Sequence, residues 1–169
     1  MVRFISFIII VLSSYGIGAL ASQSYKSRYR EINVFRAIVS DMINTVRHSP
    51  LSLEDICRQY ESENFYPFSE AFRLLRTSIK GSSLPSGELW AKEAAKLALS
   101  SKPAHKELYE SAISAFALPD KGRVEASLSL IEARLAAEAA TAKEEISSKG
   151  ALAQKLAIAC GLFAVVLLW

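Results

Sequence analysis

Lys121–Gly122–Arg123–Val124–Glu125 opens the stretch that decides the fold, and Leu156–Ala157–Ile158–Ala159–Cys160–Gly161–Leu162–Phe163–Ala164–Val165–Val166–Leu167–Leu168–Trp169 closes it. No proline interrupts the residues between them, so one helical rod can begin in water and end in lipid. Its wet half carries Val124, Leu128, Ile131, Leu135, Ala139, Ala142 and Ile146 at spacings of four, three, four, four, three and four, one stripe on a 3.6-residue helix. Arg123, Glu125, Glu132, Arg134, Glu138, Lys143 and Glu144 lie mostly off that stripe. Such a stripe is the packing face of a core helix. The remaining chain reads as what packs on it and returns to the same membrane.

The 169 residues fit one domain with accessory segments. The mean hydropathy is positive, +0.21, because both ends are apolar. A net charge of +3 is too small to argue for nucleic-acid binding. Cys57 sits in an expected soluble helix and Cys160 in the apolar tail, so a disulfide between them is not expected.

Phe4 to Ala21 is uncharged and about long enough to span a bilayer core. A cleaved signal peptide is the rival reading, with Arg3 as n-region and Ala19–Leu20–Ala21 as an A-x-A-like site. Lys26, Arg28 and Arg30 follow the segment directly, and basic residues resist translocation. The retained anchor is therefore favoured, with everything after it in the cytosol. Gly16, Gly18 and Ala19 suit close helix packing in lipid.

The soluble part reads as six helices. Ile32, Phe35, Val39, Met42 and Val46 form the seam of the first, stopped by Ser49–Pro50. Ser52 and Asp55 form a capping box for a second, running from Leu53 to about Glu63 with Ile56, Cys57 and Tyr60 on one side. Pro67 suits the first turn of a third, marked by Phe68, Phe72, Leu75 and Ile79. Lys80–Gly87 is the longest loop signal. Leu89, Trp90, Ala94 and Leu97 mark a fourth helix, and Leu108, Ala112, Ile113 and Phe116 a fifth after Pro103. Leu118–Pro119–Asp120 ends the fifth and caps the sixth. Short connections make neighbours antiparallel, and an even number returns the chain to its starting side. The expected fold is all-α: a six-helix antiparallel bundle, residues 26–149, flanked by transmembrane helices at 1–25 and 150–169. Leu156–Trp169 spans about 21 Å at ~1.5 Å per residue, short of a full core unless Gly150–Ala153 join it. Trp169 suits an interface.

No phosphate loop, H-E-x-x-H, C-x-x-C or G-x-S-x-G occurs. No catalytic, metal or cofactor residue is assigned, and the chain is not expected to be an enzyme. His48 and His105 lie near helix ends, where a histidine is usually solvated or a terminal cation. The carboxylates read as solvent-facing. Trp90, Phe65, Tyr66, Phe68 and Phe72 read as core rather than groove. The basic collar carries more: Lys26, Arg28 and Arg30 at one exit, with Lys143, Lys149 and Lys155 at the other, would ring an anionic membrane surface.

The layout resembles the stage III sporulation protein AB family of endospore-forming bacteria. The resemblance rests on Gly18, the Arg28/Arg30 exit, Ser49–Pro50–Leu51, Trp90, the Leu118–Pro119–Asp120 junction and Lys155…Gly161, in that order over nearly the whole chain. Pro119 and Ala157 stand where the family usually has glycine, and the glutamine that usually follows the junction is missing. The resemblance implies a helical domain similar to type II secretion and type IV pilus platform proteins. It implies a place in the secretion-like channel between mother cell and forespore, on the mother-cell membrane. Partners would be membrane lipids, a secretion-type ATPase and other membrane subunits, with oligomerisation compatible and no nucleic acid. Pro50, Leu51, Leu118, Pro119 and Asp120 are the candidate partner contacts. The alternative is a secreted or surface-anchored helical protein with a cleaved signal and a hydrophobic tail.

Overall fold

The computed structural model describes residues 2–48, 52–79, 85–96 and 102–168; the side chains at 2–11, 21, 63, 94–96, 154 and 165–168 are outside the description. Among the described residues all regular structure is helical. The helices are α1 (Val2–His48), α2 (Leu53–Gln59), α3 (Phe68–Ile79), α4 (Ser86–Lys96), α5 (Pro103–Ser114), α6 (Lys121–Glu145) and α7 (Ala151–Leu168). They form two compact units, Glu31–Ala139 and the pair of segments Met1–Arg30 with Ala140–Trp169.

In the Glu31–Ala139 unit the helix boundaries follow local chemistry. Ser52 Oγ accepts from the Asp55 amide at 3.2 Å, and the Ser52 amide donates to Asp55 Oδ2 at 3.3 Å, the expected capping box. Pro103 occupies the first turn of α5, and Asp120 caps α6 by accepting from the Arg123 amide at 3.2 Å. Two expectations shift. The second helix stops at Gln59, and a 3₁₀ turn covers Glu63–Phe65. Pro67 precedes α3 through a cis Tyr66–Pro67 bond instead of lying in its first turn.

α1 and α6 are antiparallel neighbours: Arg36 Nε donates to Glu132 at 2.7 Å, and Arg47 Nε, further along α1, to Glu125, earlier on α6, at 3.0 Å. Ile32, Phe35, Val39, Met42 and Val46 are buried, and so are Val124, Leu128, Ile131, Leu135 and Ala139. α2, α3, α4 and α5 pack in succession. Phe35 is the hub: its ring centre lies 4.8 Å from Phe68 and 4.3 Å from Tyr109, while Phe72 lies 5.0 Å from Trp90. Trp90, Phe68 and Phe72 are core, as expected; Phe65 is half-buried and Tyr66 exposed. Lys80–Leu84 and Leu97, which figured in the expected loop and fourth helix, lie outside the described residues.

The other unit reverses the usual order of burial. Gly18, Gly150 and Gly161 are buried, and Ser14, Ser22, Ala153, Ala157 and Ala164 are half-buried. Gly150 faces Ser22 Oγ, 3.4 Å from where a Cβ would stand. Leu12, Ile17, Leu20, Leu156, Leu162 and Phe163 are exposed, Leu12 by 63% and Phe163 by 65%.

Two corrections concern this unit. The expected uninterrupted rod contains a π turn, Ile146–Gly150. Ser147 and Ser148 hydroxyls both donate to the Glu144 carbonyl, at 2.9 and 2.7 Å, competing with its place in the α ladder. The flanking transmembrane helices are also not found: among the described residues no helix is long and apolar enough to cross a membrane. The described side chains of α1 begin at Leu12 and meet charge at Lys26, and α7 carries Lys155 near its start. Much of the expected first span, from Phe4, and the tip with Trp169 lie outside the described residues or side chains.

Candidate interaction surfaces

The collar residues are placed by helix surfaces in the Met1–Arg30 and Ala140–Trp169 unit. Lys26, Arg30, Lys143, Lys149 and Lys155 are exposed and Arg28 is half-buried. The structure brings two of the six together. Glu145 receives Arg28 Nη1 at 3.0 Å on one oxygen and Lys149 Nζ at 2.9 Å on the other. The Glu145 carboxylate holds the Lys149 ammonium above its usual range. Arg28 also lies over the Tyr25 ring, 5.9 Å from its centre. Glu145–Lys149 has the legible i,i+4 spacing, whereas Arg28 is far away in sequence and gave no signal.

The second expected surface lies in the Glu31–Ala139 unit. Leu118, Pro119 and Asp120 are exposed. Lys121 Nζ donates to the Arg47 carbonyl at 2.7 Å, so the start of α6 is fastened to the end of α1. Pro50 and Leu51 lie outside the described residues. Asp120 is a helix cap as well as a surface charge, a double role that any mutation must separate.

An open cleft of about 440 Å³ lies between α5 and α6, lined by Glu107, Glu110, Ser111, Ser114, Leu118 and Ser127. A neighbouring one of about 320 Å³ shares Glu107 and Ser111 and reaches Ala104, Arg134 and Glu138. Sequence reading missed both, because their walls come from residues far apart in the chain.

Buried polar groups are paired. Tyr60 Oη donates to Asp41 at 2.7 Å, Tyr109 Oη to Glu31 at 3.1 Å and Ser78 Oγ to Glu93 at 3.3 Å. Glu93 is buried, an exception to the reading of solvent-facing carboxylates. His48 is exposed in the last turn of α1, as expected. His105 is not solvated: it is buried in the first turn of α5, with Nε2 3.0 Å from Glu138 Oε2. Burial pushes the Cys57 thiol up to about 12 and raises the Tyr60 and Tyr109 phenols, so these groups stay protonated. Among the described residues no cluster of His, Cys, Asp and Glu could hold a metal ion. These pairs act as internal fasteners.

The family model described as Stage III sporulation protein AB matches residues 3–169. The chain belongs to the stage III sporulation protein AB family. A solved structure of a stage III sporulation protein AB (SpoIIIAB) is similar with a TM-score of 0.62 at 19% identity, over 71% of this chain and 96% of that one. At that identity the likeness is one of fold, and it agrees with the helical architecture described above. No curated protein matches the chain. The match includes Pro119 and Ala157, so neither departure removes the chain from the family. Membership makes it a sporulation stage III protein, consistent with an assembly subunit of the sporulation channel.

Proposed function

We propose that this chain is a non-enzymatic platform subunit of a secretion-like sporulation channel in the mother-cell membrane, holding a helical bundle on the cytosolic side. The observation that carries the membrane part is the reversed burial in the Met1–Arg30 and Ala140–Trp169 unit. Water drives large apolar side chains inward. In lipid that drive vanishes, and helices associate through small residues while Leu, Ile and Phe face outward. Buried Gly18, Gly150 and Gly161 beneath exposed Leu12, Leu20, Leu162 and Phe163 fit the second solvent. The exposed Lys26, Arg30, Lys143 and Lys155 would then meet anionic headgroups, at about 1 kcal/mol each.

The partners in this reading are a secretion-type ATPase and other membrane subunits. The exposed Leu118–Asp120 junction is the proposed contact, supported by its exposure and by the bond that holds α6 to α1 beside it. The test is replacement of the chromosomal copy in the spore-forming host. Deletion is expected to abolish heat-resistant spores, and Lys26, Arg30, Lys143 and Lys155 changed together to Glu should lower spore counts while the apolar helices keep the chain in the membrane fraction. Normal sporulation without the gene would defeat the platform role.

A further inference from the structure

The two clefts between α5 and α6 share Glu107 and Ser111 and so form one groove. α5 itself is about 18 Å long at ~1.5 Å per residue, enough for roughly three turns of a partner helix. The charge along the groove is uneven. Among the described lining residues, those charged at the Leu118 end are Glu107 and Glu110, and Arg134 lines the other end beside Glu138. Glu107 is exposed and Glu110 half-buried. Ser111, Ser114 and Ser127 also line that end. Leu118 is 38% exposed, and Leu130, one turn beyond Ser127 on the same face of α6, is 58% exposed. The α5 wall is held from behind. A Cβ on Gly87 of α4 would stand 1.8 Å from Ser114 Oγ, 3.1 Å from Ser114 Cβ and 3.4 Å from Glu110 Cγ, so α4 packs closely against the side chains of two lining residues.

We infer that this groove docks a basic amphipathic segment of a partner protein, with an Arg or Lys between Glu107 and Glu110 and an aliphatic side chain on Leu118. Charge complementarity favours that occupant: an acidic segment would face the Glu107 and Glu110 carboxylates, and a purely apolar one would strip them of water without replacement. The inference rests on the platform reading for its biological setting and on the groove alone for its chemistry.

The test uses the full chain in zwitterionic nanodiscs and a fluorescent helical peptide with Arg and Leu on one face, alongside its Glu-for-Arg counterpart. The basic peptide should bind saturably. E107Q/E110Q should weaken it about tenfold, in line with the loss of two partly exposed ion pairs, and Leu118→Ser should weaken it again. Both variants should keep the wild-type helical circular dichroism. Equal affinity for wild type and E107Q/E110Q, or equal binding of the acidic peptide, would overturn the inference. So would dimerisation of the chain through this face. Spore counts separate the two failures: a dispensable gene with intact peptide binding sinks the platform role alone, and an essential gene with no peptide selectivity sinks the groove alone.

Discussion

Asp120 accepts the Arg123 amide and presents a negative charge at an exposed junction. Asn preserves the cap and removes the charge; Ala removes both. Asp120→Ala is expected to destabilise by about 1 kcal/mol, and Asp120→Asn to stay near wild type by denaturant unfolding. If Asp120→Asn still loses partner binding, the charge itself is the contact. Tyr60, Tyr109 and Cys57 give the fold a pH signature. Their pKa values are raised in the folded state, Cys57 to about 12, mainly by burial. The unfolded chain ionises them near ~8.5 to 10 while the folded chain keeps their protons. Their contribution is intact below that range and is lost as pH rises through it, continuing to about 12 for Cys57. Tyr109→Phe should make the alkaline loss of stability shallower by about 1.4 kcal/mol per pH unit above the ordinary phenol pKa. An unchanged slope would mean Tyr109 titrates normally. The Ser52 box, the Asp120 cap and Pro103 were legible because each acts within four residues. The burial of His105 was not: its partner Glu138 is on another helix, and no local pattern pairs them.

Among the elements, helix existence followed from periodicity wherever a stripe met one neighbour. Val124, Leu128, Ile131 and Leu135 are buried as their spacing demands, and so is the α1 seam. Two boundaries escaped. The end of α2 coincides with the fixing of Tyr60 to Asp41 and Arg76 to Glu61 Oε2, at 2.7 and 3.0 Å, which are tertiary events. The π turn at Ile146–Gly150 needs two serines bonding one carbonyl, and absence of proline alone does not forbid it. The aromatic hub ties the elements together. Phe35 on α1 touches rings from α3 and α5 and lies 6.2 Å from Trp90 of α4. Phe35→Ala should cost about 3–5 kcal/mol by thermal or denaturant unfolding. A loss under 1 kcal/mol would show that the hub is not the centre of the core.

For the whole molecule, composition marked two apolar ends, and only burial showed which side chains they turn outward. Gly18, Gly150 and Gly161 are inside while Leu162 and Phe163 face out. The collar was visible as charge, but Glu145 changes its meaning, since Arg28 and Lys149 already share a counter-ion. In the proposed function, Lys26, Arg30, Lys143 and Lys155 are the exposed collar cations that would meet a membrane surface. The most direct test of the account is a nitroxide at Leu162 in the full chain, with Cys57 and Cys160 replaced, reconstituted in liposomes. Power saturation should find the label more accessible to oxygen than to a water-soluble nickel chelate, because the proposed function turns that side chain to lipid. Greater accessibility to the nickel chelate would place Leu162 in water and contradict the membrane-anchored platform at its foundation.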